Sequence, residues 1–274
     1  MKYDPIKRRL GNFFNKGPIL RILFYKLLDL LLLRTWHIKK EVRKWTQWRK
    51  KSVGLYYNTH ILDAGAGFGQ YSYYLSGINK SWNILSIDVK DEQVGDCNKF
   101  FTQIGRSNVL FKIADLTEFK TESCFDLVLC VDVMEHILED ELVFRNYYES
   151  MKDGAMLLIS TPSDQGGSDV HEDDDSSFIE EHVRDGYNID DIERKLRNAG
   201  FSDVEARYSY GAPGKISWRL SMKYPIQMLG VTRLFYIVLP FYYIIFYPIC
   251  FVLNYLDTAI NWSTGTGLIV KAWK

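Results

Sequence analysis

An α/β fold built on a mainly parallel sheet is predicted by three features of the chain. Residues 61–70, ILDAGAGFGQ, pass from an apolar run through an acid into glycines at every second position, so they read as a buried strand turning tightly into a helix. Beyond Ser52, short apolar runs alternate with amphipathic segments, the pattern of strands joined by crossover helices. Asp88 closes the second apolar run nineteen residues after Gly69, where an acid can meet a nucleotide-like ligand.

A chain of 274 residues, 47% of them hydrophobic, can bury one sizeable core. Its net charge of zero is unevenly spread: residues 1–51 hold 15 Lys+Arg and 3 Asp+Glu, which leaves 19 and 31 for residues 52–274. Such a basic segment attracts nucleic acid or anionic lipid, and its interleaved leucines and tryptophans favour an anionic membrane surface. The four cysteines, Cys97, Cys124, Cys130 and Cys250, form no CxxC pair. Neither zinc nor a disulfide framework is expected, and the thiols are read as reduced in a cytoplasmic protein, with Cys130 in the core at a strand end.

Two divisions follow: residues 1–53 as a basic amphipathic helical segment, and residues 54–274 as the α/β domain with a hydrophobic insertion at 211–262. Within residues 18–33, PILRILFYKLLDLLLL, the polar Arg21, Tyr25 and Asp29 fall at i, i+4 and i+8 on one narrow face. Three charges argue against a spanning helix and no small-residue cleavage site is evident, so a helix lying in a membrane interface fits. It continues through residues 34–51, where Trp36, Trp45 and Trp48 sit among eight basic residues. Helices that cover the sheet edge or cap the active site are the competing reading.

Strands are expected at 60–63, 82–88, 109–113, 125–131 and 155–160, with helices at 70–75, 92–104, 134–151 and 189–198. The last helix is bracketed by Asn188 and Gly200, a side-chain cap and a C-terminal glycine. Further strands are expected at 204–210 and 265–273. Between them, residues 234–256 carry no charge and exceed the roughly 20 residues needed to cross a bilayer, yet Pro240 and Pro248 interrupt them. If the flanking strands pair in one sheet, both ends of the insertion return to one side of the membrane, so a single crossing is forbidden. The run is then a re-entrant hairpin bent near its prolines, a pair of short interfacial helices, or a hydrophobic lid; its many aromatics favour membrane embedding without complete spanning.

The ordered segments ILDAGAGFGQ, ILSIDVKD, IADL, FDLVLCVDVMEHI and GAMLLISTPS resemble the successive motifs of class I S-adenosylmethionine-dependent methyltransferases, especially the small-molecule branch that includes ubiquinone-type O-methyltransferases. The resemblance covers residues 57–201 and resumes at the C-terminal strand. It implies a Rossmann-like seven-stranded sheet with an antiparallel last strand, N-terminal helices and the hydrophobic insertion as additions, and S-adenosylmethionine as cofactor. By that resemblance Asp63 orients the loop or meets the methionine amine, while Gly65, Gly67 and Gly69 admit the methionine portion and ribose. Asp88 accepts the ribose hydroxyls, Ala114 and Asp115 hold the adenine, and Val131 borders the methionine part. Strand ends, caps and turns are the bland readings of the three acids.

Methyl transfer needs chiefly alignment, but a hydroxyl acceptor benefits from a base near neutrality, which points to His136 or His182 as alternatives. Glu135, beside the first, is a candidate substrate contact. The segment EEHVRDGY resembles an EHxR-x-GY stretch of some relatives, which places Arg184 and Tyr187 at the substrate pocket, with Arg184 available to a phosphate or carboxylate. The acids of residues 171–175 read as a solvated loop, and no metal is expected.

The expected function is methyl transfer to a hydroxyl on a hydrophobic, lipid-linked or quinone-like acceptor, by a peripheral or monotopic protein at the cytoplasmic face of the membrane. A soluble natural-product methyltransferase with a hydrophobic lid and a non-catalytic cofactor-binding scaffold are the alternatives. A nucleic-acid substrate is disfavoured because CVDVMEHI stands where an NPPY-like motif would be, and a dinucleotide oxidoreductase because GAGFG departs from GxGxxG.

Overall fold

A computed structural model describes residues 17–52, 54, 58–166, 183–232 and 234–274. Two helices, α1 (Pro18–Leu31) and α2 (Leu33–Ser52), precede β1 (His60–Ala64), α3 (Gln70–Ile78), β2 (Asn83–Asp88), α4 (Asp91–Gln103), β3 (Val109–Ile113) and β4 (Phe125–Val131). A 3-10 turn (Met134–His136) leads to α5 (Asp140–Ser150), β5 (Met151–Pro162), α6 (Ile189–Ala199) and β6 (Asp203–Ser209). The insertion comprises α7 (Ala212–Trp218), a π turn (Arg219–Lys223), α8 (Tyr224–Val231) and α9 (Phe235–Ala259), before β7 (Gly267–Trp273).

The strands form one seven-stranded sheet of order β3-β2-β1-β4-β5-β7-β6, in which β7 runs antiparallel to both its neighbours. Apolar residues lie on both faces of the central strands because successive side chains point to opposite sides. Leu127 and Leu129 of β4 join one core layer with Leu75 of α3 and Phe100 of α4, whereas Val128 and Cys130 join the other with Tyr147 of α5 and Leu196 of α6. Burial pushes the Cys130 thiol up to about 12, as expected of an inert core cysteine. The strand order reverses between β1 and β4, so their carboxyl ends open the crevice in which α/β proteins bind ligands.

Residues 17–52 pack into this domain rather than standing apart from it. Tyr25, Ile38, Val42 and Trp45 lie in the same core layer as Leu127, and Arg49 bonds Asp126 at the start of β4 at 2.7 Å. The helix expected over 134–151 is broken: Arg184 donates to the carbonyls of Ile137 (2.6 Å) and Leu138 (3.2 Å), holding the chain out of helix between the 3-10 turn and α5.

The insertion also differs from its expected form. Pro240 and Pro248 sit inside one continuous 25-residue helix rather than between two half-helices. The chain reverses instead between α8 and α9, and α9 returns antiparallel along α7 and the π turn. Tyr242 and Tyr243 hydroxyls donate to the carbonyls of Leu220 and Ser221, each at 2.8 Å, where the following Pro225 offers no N–H. Residues Phe235, Tyr242, Phe246, Cys250 and Asn254 lie on the packed side of α9, while Ile237, Phe241, Ile244, Ile245 and Val252 face outward.

A buried polar network ties this hairpin to α2 and the sheet. Asp257 accepts from His37 Nε2 at 2.8 Å, from the Tyr210 amide at 3.1 Å and from the Gly214 amide at 3.1 Å. Arg207 Nη1 meets His37 Nδ1 at 3.2 Å, and its Nη2 donates to Glu41 at 3.2 Å. The cationic donor at Nδ1 assigns the proton to Nε2, and burial lowers the His37 pKa against the opposing pull of Asp257.

Candidate active site

The glycine loop lies at the crevice mouth. Gly65, Gly67 and Gly69 all have left-handed backbones, with φ of 71°, 52° and 77°. A Cβ on Gly65 would stand 2.3 Å from Val133 Cγ2, so this glycine serves the close approach of the loop to the β4 turn. Gly67 is different: no heavy atom of the described residues lies within 4 Å of an added Cβ. The backbone there faces open space that a ligand can enter.

Asp88, at the end of β2, is fixed by its neighbours: Oδ2 accepts from Gly67 N at 2.8 Å and Oδ1 from Lys90 N at 2.9 Å. Each oxygen keeps acceptor capacity for a diol. Asp63 is buried, accepts from Ser72 Oγ, and has its carboxyl pushed up to about 6, chiefly by burial. Its observed contact pins the first turn of α3 to β1. Ala114 bonds the Asp88 carbonyl at 3.1 Å. Asp115 is exposed, and its Oδ1 accepts from Thr117 N and Oγ1 at 2.8 and 2.7 Å, so it starts a turn beside the crevice. Val131 is half-buried at the end of β4.

Past β4 the chain makes a cluster that the sequence concealed. Asp132, at φ 51°, forms an ion pair with Arg34 of α2, whose amide donates to the Tyr210 hydroxyl at 3.1 Å. Tyr71 meets Thr35 at 3.3 Å beside them. Glu135 is buried and accepts from Thr161 Oγ1 at 3.1 Å. Burial, with Asp132 nearby, pushes its carboxyl up to about 8 against the pull of Arg34. Asp132 lay within a recognisable motif, but its pairing with a residue 98 positions away leaves no local signal.

His136 is half-buried in the 3-10 turn next to Glu135. His182 and the acids of 171–175 lie outside the described residues. Arg184 and Tyr187, expected at the substrate pocket, have partners within the protein. Arg184 pairs internally with Asp140, and Tyr187 is 1% exposed with its hydroxyl donating to Asp140 at 2.8 Å. Lys195 reaches the same carboxylate at 2.8 Å. With its carboxylate partner supplied from within, Arg184 clamps the segment that carries Glu135 and His136.

A family profile described as a methyltransferase domain matches residues 56–200, more than half of the chain. The chain belongs to the class I S-adenosylmethionine-dependent methyltransferases. Phosphoethanolamine N-methyltransferase 1 of Triticum aestivum is 30% identical over 148 residues, covering 53% of this chain and 29% of that protein. The human mitochondrial ubiquinone biosynthesis O-methyltransferase is 29% identical over 105 residues, covering 37% of this chain and 28% of that protein. The chain thus spans less than a third of the length of these curated relatives. A Haemonchus contortus phosphoethanolamine N-methyltransferase 2 in complex with S-adenosyl-L-methionine superimposes with a TM-score of 0.55 at 18% identity, covering 85% of this chain and 52% of that one, a likeness of fold.

The site residues of this methyltransferase fit the cofactor: open space at Gly67, a carboxylate placed for vicinal hydroxyls at Asp88, and an apolar wall from Ala114 and Val131. When bound, the cofactor supplies a methyl group already activated on a sulfonium. The protein then has to hold donor and acceptor in line. Gly67→Ala tests the fit. The added methyl meets no protein atom, so the fold loses only about 1–2 kcal/mol to left-handed strain, while calorimetry should show cofactor affinity falling roughly tenfold or more.

Glu135 carries a pH signature. Its folded pKa, about 8, stands above the unfolded 4.5, so the folded protein retains a proton that the unfolded chain has lost between those values. This contribution to stability is full below the unfolded value and is lost as pH rises through the folded one. Glu135→Gln should flatten that fall in melting temperature across the same window.

Proposed function

We propose that this methyltransferase transfers the methyl group of S-adenosylmethionine to a hydrophobic or lipid-linked acceptor at the cytoplasmic face of a membrane. The observation that carries the reading is α9. It is long and apolar enough to cross a bilayer, yet only 6% of its most apolar window is buried against the protein. A helix about 37 Å long that turns Ile237, Phe241, Ile244 and Val252 outward exposes a face suited to lipid, and it runs back along α7 to the sheet. Exposed Arg43, Lys44, Lys50 and Lys51 on α2 favour anionic headgroups.

An oxygen acceptor is the first reading, with His136 beyond β4 as the candidate to take its proton. A nitrogen acceptor is the second, favoured by the N-methyltransferases among the relatives. Incubation with labelled cofactor and a membrane lipid extract, followed by mass spectrometry, distinguishes an O-methyl from an N-methyl product. Label confined to water-soluble products would overturn the hydrophobic acceptor. Flotation with phosphatidylglycerol-containing vesicles checks the surface: a protein left wholly at the bottom of the gradient would favour the soluble, lidded alternative.

A further inference from the structure

Helix α1 has two opposite stripes. The inner one, Arg21, Tyr25 and Asp29, grips the cofactor loop. Arg21 Nη2 donates to the Phe68 carbonyl at 2.9 Å and Nη1 to the Asp96 carbonyl at 3.1 Å; the Tyr25 hydroxyl also donates to Phe68 O. Asp29 accepts from Gln70 Nε2 at 2.9 Å. These bonds fix the loop on both sides of Gly69, next to the Gly67 amide that reaches Asp88. The ring of Phe24 adds an edge contact to Phe68, with centroids 6.1 Å apart.

The outer stripe is Ile19, Leu23, Leu27 and Leu30, at i, i+4, i+8 and i+11, exposed by 83, 48, 39 and 43%. Exposed Lys26 lies among them with a stem long enough to reach headgroups. Trp36 joins this stripe to the hydrophobic hairpin: its Nε1 donates to the Leu30 carbonyl at 3.2 Å and its ring meets Phe251 of α9 at 5.0 Å. The exposed apolar sides of α1 and α9 therefore meet at Trp36.

We propose that an anionic lipid leaflet presses α1 onto the glycine loop, so that membrane contact raises affinity for S-adenosylmethionine. The inference rests on the membrane-surface reading above and adds a coupling to it. Because the two stripes lie on opposite sides, α1 can grip the loop and meet lipid at once; leaving the loop would strip Arg21 and Tyr25 of their partners in a poorly solvated setting. A 14-residue helix has little stability by itself in water, so burial of its outer leucines in lipid favours the docked state. By linkage, whatever favours the docked helix favours the ligand that needs the ordered loop.

The test uses the full chain and calorimetric titration of S-adenosylmethionine, with and without mixed phosphatidylcholine–phosphatidylglycerol vesicles, alongside flotation. Affinity should rise about fivefold or more with vesicles, the lower end of typical coupling. The double variant Leu23→Glu and Leu27→Glu should keep its affinity in buffer, still float through α9, and lose the gain. If that variant unfolds, Ile19→Glu, at the most exposed position, carries the same comparison. Flotation with affinity unchanged or weakened overturns the coupling alone, as does an undiminished gain in the variants. Absence of flotation sinks both the coupling and the membrane reading.

Discussion

Asp88→Ala is expected to lower S-adenosylmethionine affinity by roughly a hundredfold or more, as read by calorimetry, with the fold retained. A charged acceptor contributes about 1.5–3 kcal/mol per hydrogen bond, and the carboxylate is placed to receive two ribose hydroxyls while also holding Gly67 N and Lys90 N. Its loss both removes the ligand contacts and frees the loop to drift. Asp88→Asn separates the two effects, because it retains one acceptor oxygen for the loop but turns a donor toward the diol. An Asp88→Ala protein that binds as tightly as the native one would mean the ribose lies elsewhere.

The second large effect concerns stability. Asp257→Ala should destabilise the fold by about 3–5 kcal/mol and lower the melting temperature by roughly ten degrees. Asp257 is 0% exposed and accepts from His37, Tyr210 and Gly214, so its removal strands three buried donors. The loss reaches the site, because the Tyr210 hydroxyl receives the Arg34 amide and Arg34 holds Asp132. Activity should therefore fall at temperatures where the protein remains folded. Asp257→Asn, which keeps the shape and an acceptor, should lose clearly less. Equal melting temperatures for Asp257→Ala and the native chain would show that the network adds no stability.

Much of the donor half was legible along the chain because its chemistry is local. The left-handed turns at Gly65, Gly67 and Gly69 require glycine, and Asp88 ends the strand adjacent to β1, so both signals follow from short-range geometry. The seven strands were likewise readable from apolar runs, with ends moved by a few residues; β5 begins at Met151 rather than near 155. Helix 134–151 was misjudged because its apolar spacing is helical throughout, while the break is imposed by Arg184, about 46 positions away. The pairing of Arg184 with Asp140 is likewise not legible in a single sequence, because the two lie 44 positions apart.

The proline-bent hairpin failed for a related reason. A proline removes one helical bond, yet Pro240 and Pro248 stay inside one continuous helix that packs along α7, and the chain reverses between α8 and α9 instead. The sequence by itself determined the sheet, the glycine loop, the acid that ends β2 and the presence of greasy, charge-poor segments, since each is written in neighbouring residues. Only the tertiary structure decided that Arg21, Tyr25 and Asp29 grip the cofactor loop, that Arg34 faces Asp132, and that His37 and Asp257 join the two additions. Those pairings bring together groups far apart in the chain, and a buried polar group takes its partner from whichever element the folded packing places within hydrogen-bond reach.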